Sequence, residues 1–387
     1  MVGRKRLIIS AALALGLVAA ACGGGGGGGG GEGGGQAEGS IWVLLPDTAS
    51  SDRWEKDDRR FFGQFFEDAG LSEGEDFSIV NAEGDAATQQ SQAEQALADG
   101  ASVIVLTSLD PASGATIIDT AQAEDVDVVE YDRFNTEGPG GAAYVSFDNV
   151  QVGATMAQVL EPEIDALKVD TPRVVMLNGG EEDNNSFLFR RGYAETVEAR
   201  VDAGDWELVA DQHVPGWDNQ EAQTIMEQIL VDANNQVDAV FAANDGLAAS
   251  AINALEAAGV GSVPVSGQDA TALGMQNILL GKQTMSVYKP IEDEAGVAAA
   301  VALALRSGDD IESIDVDYDY EVIGIEAATG NPTDSAEGDG VVPYFALTPI
   351  GVTEKNMADT VIADEFRTVE EICTGDVADT NWCRENG

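Results

Sequence analysis

The chain has 387 residues and a formal net charge of -50, from 69 acidic against 19 basic residues. A chain this acidic repels nucleic-acid phosphates and anionic lipid, which argues against nucleic acid as a partner and against adsorption on anionic membranes. A hydrophobic content of 44% is enough to build a core and argues against disorder in the main body.

The N-terminus has the form of an export signal. Arg4, Lys5 and Arg6 precede an apolar run over residues 7–21, which is too short to span a bilayer stably. The run ends in three alanines before Cys22, a pattern that resembles the lipobox of bacterial lipoproteins. We therefore predict a lipoprotein signal peptide over 1–21 and lipidation of Cys22, with a lipid anchor at the outer face of the cytoplasmic membrane as the chain's only membrane attachment. A plain secretory peptide with a chance cysteine is the alternative.

A glycine tract follows the cysteine. Glycines at 23–31 and 33–35 cannot pack a core and behave as a flexible coil. Residues 22–40 are therefore predicted to be a tether between the lipid and a folded body.

From residue 41 onward, short β-branched runs alternate with longer amphipathic segments. The strands predicted in the first half are 41–45, 77–81, 103–107, 126–130 and 143–146, with helices over 52–69, 88–99 and 112–123. The second series has strands over 173–177, 206–211, 237–242, 263–266 and 284–287, with helices over 185–203, 218–232, 246–258 and 270–279. A further helix over 291–305 is expected to return to the first half. The pattern predicts an α/β fold of two doubly wound parallel-sheet lobes that are joined by a hinge and face each other across a cleft.

The predicted lobes are discontinuous in sequence. Residues 41–147 plus 290–325 form the N-terminal lobe, residues 148–289 plus 326–366 form the C-terminal lobe, and residues 367–387 are a C-terminal extension. Cys373 and Cys383 lie ten residues apart in this extension, which favours a disulfide in an oxidising compartment over two free thiols. A metal pair is disfavoured because His213, the one histidine, is distant in sequence.

The segment 315–326 has the acidic spacing of a calcium loop. Asp315, Asp317, Asp319 and Glu326 fall on positions one, three, five and twelve, but Tyr320 stands where the loop needs glycine. Strict alternation with apolar residues favours a half-exposed strand instead. We predict no metal and no cofactor.

Polar residues cluster directly after the predicted strands, at the edge where ligands bind in open α/β sheets. These clusters are Pro46-Asp47, Arg53-Trp54, Tyr131-Asp132-Arg133, Asn178-Gly179-Gly180, Asp183-Asn184-Asn185, Asn244-Asp245, Gln268-Asp269 and Tyr288-Lys289. Carboxylates, carboxamides, guanidinium and ammonium groups form strong hydrogen bonds with sugar hydroxyls. Trp54 and Trp217, one from each predicted lobe, offer flat faces to the C–H groups of a pyranose. The inventory predicts a sugar site.

The chain resembles the periplasmic sugar-binding proteins of bacterial ABC importers, which have the type I fold. The resemblance covers nearly all of residues 41–365. Its motifs are residues 52–57, 131–133, 146–149, 183–185, 216–217, 244–245, 266–269 and 283–290. It implies that hydrogen bonds to the sugar come from Arg53, Asp132, Arg133, Asn185, Asn244, Asp269 and Lys289, with Trp54 and Trp217 stacking on it. Asp183 and Asn184 are further candidates because the local alignment can slip by one residue.

The resemblance implies capture of a monosaccharide, a pentose or hexose pyranose, and delivery to the permease and ATPase of an importer. We expect D-xylose and a monomeric protein, with no catalytic residue. Glucose, galactose, arabinose or ribose as ligand, and a sugar sensor that serves a membrane receptor, remain alternatives. A glycoside-acting enzyme with Asp132 and Asp269 as its carboxyl pair is least favoured, because basic and amide side chains accompany the acidic ones.

Overall fold

The structure of the protein is a computed structural model that describes residues 39–51 and 53–387. The predicted signal peptide, Cys22 and nearly all of the predicted tether lie outside the described residues. The strands are β1 (Ser40–Leu45), β2 (Phe77–Asn81), β3 (Ala101–Leu106), β4 (Asp127–Tyr131), β5 (Ala143–Phe147), β6 (Arg173–Asn178), β7 (Glu207–His213), β8 (Ala239–Ala242), β9 (Ser286–Tyr288), β10 (Tyr320–Glu326), β11 (Pro332–Thr333), β12 (Val341–Leu347) and β13 (Ile350–Val352).

The helices begin with a π-helical turn at Trp54–Asp58, which leads into α1. They are α1 (Arg59–Asp68), α2 (Ala86–Ala98), α3 (Pro111–Gln122), α4 (Asn149–Ala166), α5 (Asn184–Asp202), α6 (Asn219–Asp232), α7 (Asp245–Ala257), α8 (Ala272–Leu279), α9 (Ile291–Ser307), α10 (Val369–Ile372) and α11 (Asn381–Asn386). The alternation of strands and helices confirms the predicted α/β class.

The first lobe is built on an eight-stranded sheet in the order β11-β10-β12-β5-β4-β3-β1-β2. Strands β1 to β5 and β12 pair in parallel, and β10 and β11 add an antiparallel edge. Helix α9 packs against α1 and strands β3 to β5, as the sequence predicted for a helix that returns to the first half. We call this part the N-terminal lobe.

The second lobe is built on the parallel strands β7-β6-β8 and on the antiparallel pair β9-β13. A full strand was predicted over 263–266, but only Val265 makes a ladder bridge there, to Val240. Pro264 has no backbone N–H to donate, so it interrupts the regular pairing of this segment. A second bridge joins Gln268 to Val287 and connects the segment to β9. We call this part the C-terminal lobe.

One segment lies in a different lobe from the one that the sequence predicted, and one helix was not predicted. The segment 326–366 was expected in the C-terminal lobe, yet β12 pairs in parallel with β5 and so lies in the N-terminal lobe. Strand β13, which pairs with β9, returns to the C-terminal lobe. Helix α4 was not predicted, although its buried Val152, Met156, Leu160 and Ile164 recur every four residues, the spacing of an amphipathic helix.

The acidic segment 315–326 and the C-terminal extension take defined structures. Residues from Tyr320 onward form β10, an antiparallel partner of β12, in line with the alternation of the sequence. Cys373 and Cys383 are joined by a disulfide. Among the described residues there is no group of three metal-ligating side chains and no helix long and apolar enough to cross a membrane.

Candidate functional site

Ten of the eleven side chains that the sequence singled out line one cavity between the two lobes. The cavity lies where the carboxyl ends of the strands meet, and its volume is about 30 Å³. The predicted residues that line it are Arg53, Trp54, Asp132, Arg133, Asp183, Asn185, Trp217, Asn244, Asp269 and Lys289. The structure therefore brings together residues that lie up to 236 positions apart in the sequence.

Asn184 is the predicted residue that lies elsewhere. Its side-chain amide donates to the carbonyl of Gly330 at 3.1 Å. Its neighbour Asn185 points into the cavity, because consecutive residues of α5 project from different faces of the helix. Of the two further candidates, Asp183 therefore lines the cavity and Asn184 does not.

A larger groove of about 620 Å³ lies on the outer face of the C-terminal lobe, between β7 and α6. Its lining runs along an edge strand and includes Arg173, Glu207 and Asp232. Ligand sites of open α/β sheets lie at the carboxyl ends of strands, and this groove does not collect the side chains found there. The smaller cavity between the lobes is the candidate site.

The π-helical turn at Trp54–Asp58 presents the first part of the site. Such turns are rare and occur often at functional sites. The Arg53 guanidinium lies 4.4 Å from the centroid of the Trp54 ring, and the Trp54 indole donates to Ser50 Oγ at 3.2 Å. Arg133 approaches the same ring at 5.6 Å. Two guanidinium groups therefore contact the Trp54 ring, and a hydrogen bond sets its orientation.

Arg53 is the centre of a buried network of ion pairs. Its Nε and Nη2 donate to the two oxygens of Asp58 at 3.0 and 2.7 Å. Its Nη1 donates to Asp132 Oδ2 at 2.8 Å and its Nη2 to Glu294 Oε2 at 2.7 Å. Lys289 Nζ lies 2.9 Å from the same Asp132 oxygen. Pairing of this kind is required of charges that are removed from water.

The network sets the charge state of Asp132. Burial by itself raises the pKa of this carboxyl, but Lys289 and Arg53 act against burial and hold the pKa below its ordinary range. Asp132 is therefore an ionised carboxylate at neutral pH, which accepts hydrogen bonds and donates none.

Side chains of the C-terminal lobe reach Asp132 and Arg133 across the cavity. The Asn185 amide donates to the Asp132 carbonyl at 2.8 Å, and Asn185 Oδ1 accepts from Asn149 at 2.8 Å. Arg133 Nε lies 3.3 Å from Asp183 Oδ2. These contacts tie the two rims of the cavity together.

Helix caps position the polar residues of the C-terminal lobe. Asp183 begins α5 and accepts from the backbone N–H of Asn185 at 2.9 Å. Asn244 begins α7 and accepts from the backbone N–H of Leu247 at 2.9 Å. Asp and Asn are preferred at such positions because their side chains satisfy N–H groups that have no partner within the helix. The same side chains face the cavity.

Three residues of the site have left-handed backbones. Asp132, Trp217 and Asp269 have φ values of 59°, 54° and 94°. This region is unfavourable for residues other than glycine, and it is enriched at functional sites. Position 179 must be glycine for Trp217 to fit, because a Cβ added at Gly179 would lie 2.1 Å from the indole ring.

Three buried polar atoms at the cavity lack a hydrogen-bond partner among the described residues. They are Gln268 Oε1, Trp217 Nε1 and Arg133 Nε, the last of which has only the ion-pair contact with Asp183. A buried polar atom without a partner costs about 1–3 kcal/mol. A ligand rich in hydroxyl groups can satisfy both the one acceptor and the two donors, because each hydroxyl donates and accepts.

Four residues that line the cavity were not among the predicted site residues: Ser50, Ser51, Phe189 and Gln268. Gln268 precedes Asp269 directly and was visible in the sequence as part of a polar cluster. Phe189 lies four residues after Asn185 on α5, so the helical period places the two on one face. The two serines lie in an irregular loop whose path no periodic pattern predicts.

Comparisons with known proteins identify the family of the chain. A family model described as a periplasmic binding protein domain matches residues 42–310. The D-xylose-binding periplasmic protein of Escherichia coli (strain K12) is 35% identical over 329 residues, which are 84% of this chain and 90% of that protein. The D-xylose-binding periplasmic protein of Haemophilus influenzae is 34% identical over 330 residues, which are 85% and 91% of the two chains.

A solved structure shows the same fold. The ABC transporter solute-binding protein of Clostridium phytofermentans, determined with bound β-D-glucose, matches with a TM-score of 0.73 and 24% identity. The match covers 86% of this chain and 99% of that one.

Proposed function

This chain belongs to the periplasmic binding protein family, and we propose that it is an extracytoplasmic sugar-binding member, which captures one monosaccharide and delivers it unchanged to an ABC importer. One observation carries the proposal: ten residues that are separate in sequence meet in a single interlobe cavity. Their charged and amide groups match sugar hydroxyls, and their two indoles match the C–H faces of a pyranose.

The sugar proposed is D-xylose. Relatives that carry this sugar in their names are about a third identical to the chain over more than four fifths of its length. A pentopyranose also lacks the exocyclic CH₂OH group, so Trp54 and Trp217 can approach both of its faces closely.

A sugar reaches the cavity only when the lobes separate. Water-sized molecules need about 10–15 Å³ each of probe-occupied volume, so a cavity of about 30 Å³ is too small for a sugar ring. Separation would release the contacts of Asn185 and Arg133 across the cavity. We expect a hinge motion, and small-angle scattering should show a smaller radius of gyration when xylose saturates the protein. A radius that stays constant at saturation contradicts the motion.

The electrostatics of the site argue against Asp132 as the general acid of a glycosidase. Glycosidases need one carboxyl group that holds a proton as the general acid. The Asp132 carboxyl instead has a lowered pKa between Lys289 and Arg53. An enzyme that acts on glycosides is therefore the weaker candidate.

Calorimetry with xylose, ribose, arabinose, galactose and glucose tests the proposal, with chemical analysis of the recovered sugar. We expect xylose to bind most tightly and to be recovered unaltered. If glucose or ribose binds at least tenfold more tightly, xylose is the wrong ligand. If no monosaccharide binds at millimolar concentration, or the recovered sugar is altered, the transport function is wrong.

Lipid attachment at Cys22 is part of the proposal. It is supported by the basic and apolar segments before this cysteine and by the glycine tract after it. Metabolic labelling with a palmitate analogue should label the wild type and leave Cys22→Ala unlabelled. Equal labelling of the two contradicts the anchor.

A further inference from the structure

The C-terminal extension is a packed segment of the C-terminal lobe. It contains α10 and α11 and is closed by the disulfide Cys373–Cys383. The side chains of Ile372, Val377 and Trp382 are buried in the main hydrophobic core. Thr368 and Glu371 form a reciprocal capping box at the start of α10. The segment therefore has a fixed place on the body of the protein.

Helix α8 anchors the extension. The Gln276 side chain on α8 donates to the carbonyls of Glu371 and Ile372, both at 3.2 Å, and to Thr374 Oγ1 at 3.0 Å. One amide group thus meets three acceptors around the start of the disulfide loop. The extension is held on the C-terminal lobe through backbone atoms as well as through apolar packing.

At its first residue the extension reaches the N-terminal lobe. Arg367 donates from Nη1 to both oxygens of Asp57, at 3.3 and 3.2 Å, and from Nη2 to Asp57 Oδ2 at 3.2 Å. Arg367 and Asp57 are 8% and 3% exposed. The guanidinium also lies 3.9 Å from the ring centroid of Phe366, which packs on Tyr288, the neighbour of Lys289. The ion pair is buried, and both of its members are held in place.

Asp57 lies in the π-helical turn of the candidate sugar site. The next residue, Asp58, holds Arg53 through two hydrogen bonds at 3.0 and 2.7 Å. Two consecutive carboxylates therefore hold this turn from two directions: Asp58 pairs with the proposed sugar ligand Arg53, and Asp57 pairs with Arg367. A shift of Asp57 would move Trp54, which belongs to the same short turn, and Arg53, which directly precedes it.

We propose that Arg367 is a positioning residue of the sugar site, which holds the turn carrying Arg53 and Trp54 through Asp57, and that the disulfide-closed extension keeps Arg367 in place. The inference rests on the proposed function for its effect on affinity. Its mechanical part, the immobilisation of the turn, does not depend on which ligand binds.

The main test is a double-variant cycle with D-xylose in calorimetry. Arg367→Met should weaken xylose binding roughly tenfold, and Trp54→Ala should weaken it as well. If Arg367 acts through the turn, the double variant should lose less affinity than the product of the two single losses, because contacts that share one element are not additive. Fully multiplicative losses, or wild-type affinity in Arg367→Met, overturn the proposal.

Matched variants separate positioning from general loss of stability. Lys282→Met removes an exposed ion pair with Glu256 on the same lobe and should leave xylose affinity unchanged. Arg367→Lys keeps the charge without the planar fork and should bind better than Arg367→Met but less well than wild type. Cys373→Ser/Cys383→Ser should lower the affinity roughly as Arg367→Met does. A disulfide variant with wild-type affinity overturns the role of the extension.

Amide hydrogen exchange in the sugar-free protein tests the positioning role of Arg367 independently of sugar binding. Arg367→Met should exchange backbone amides of residues 54–58 roughly tenfold faster than wild type, with α2 unchanged as the internal reference. Unchanged exchange in this turn contradicts positioning. If the wild type binds no monosaccharide while the turn does exchange faster in the variant, the sugar-binding function fails and the positioning stands.

Discussion

The two sides of the cavity hold their polar side chains by different means. On the side of the N-terminal lobe, Arg53 and Asp132 are held by ionisable side chains from distant parts of the chain. Arg53 donates a hydrogen bond to Glu294, 241 residues away, and Asp132 pairs with the opposite charge of Lys289, 157 residues away. This side is a network in which each charge depends on the others.

On the side of the C-terminal lobe, local backbone contacts hold the side chains. Asp183 and Asn244 cap helices and accept from N–H groups two and three residues ahead. Each cap forms within its own segment, so losing one leaves the other intact. We therefore expect substitutions on the charged side to have non-additive effects on stability and binding. Substitutions on the capped side should have independent, additive effects.

The largest effect is expected at Asp132. Asp132→Ala leaves the buried charges of Lys289 and Arg53 with one partner fewer, so the free energy of unfolding should fall by about 3–5 kcal/mol. Xylose binding should be lost at millimolar concentration. Denaturant unfolding and calorimetry measure the two effects. Glu256→Ala, which breaks the exposed pair with Lys282, should cost less than about 1 kcal/mol. Equal costs for the two variants would show that the network is not cooperative.

The two tryptophans should contribute alike, although they lie on opposite sides. Trp54→Ala and Trp217→Ala should each weaken xylose binding by about 1–3 kcal/mol, the range between base stacking and burial of an aromatic ring. Trp206→Phe is the control, because Trp206 is buried against Phe241 away from the cavity. Calorimetry should find wild-type affinity in this control. A loss confined to one of the two site variants would mean that the sugar stacks on one face only.

A smaller effect is expected at Asn185, and its neighbour supplies the control. Asn185→Ala removes an amide that bonds Asp132 and Asn149 and should weaken xylose binding by about 1 kcal/mol. Asn184→Ala should bind xylose as the wild type does, because its amide bonds the Gly330 carbonyl. The opposite ranking in calorimetry would mean that the sugar contacts Asn184 instead.

The smallest effect on affinity is expected at Glu294. This residue should instead contribute to the way in which the free energy of unfolding changes with pH. Burial raises the pKa of this carboxyl to about 8, although Arg53 acts against burial, and repulsion from Asp132 adds to the rise. The folded state therefore keeps a proton that the unfolded state releases above its ordinary pKa of 4.5. The free energy of unfolding should fall as pH rises from about 4.5 to about 8.

Glu294→Gln tests this dependence. The amide keeps an acceptor for Arg53 but does not titrate, so the fall in unfolding free energy with pH should become shallower. Denaturant unfolding at several pH values measures the slope. Glu163→Gln, on the exposed face of α4, should keep the wild-type slope. A slope unchanged in Glu294→Gln would mean that other carboxyl groups carry the pH dependence.

The sequence by itself determined the fold class and most of the candidate site. Strand and helix periods depend on neighbours within a few residues, and so do helix caps such as Asp183 and Asn244. Because the carboxyl ends of parallel strands share an edge, polar residues placed after each strand had to meet. This argument and the family resemblance brought ten residues to one cavity before any distance was known.

Only the tertiary structure decided which distant groups pair. The sequence could not show that β12 joins the sheet of the N-terminal lobe, since a strand pattern does not name its neighbour. It could not show that Asp183 faces the cavity while the next residue, Asn184, faces away from it. Nor could it pair Arg367 with Asp57 across 310 residues. That pairing depends on how the packed core brings the extension to the π-helical turn, and no local pattern encodes it.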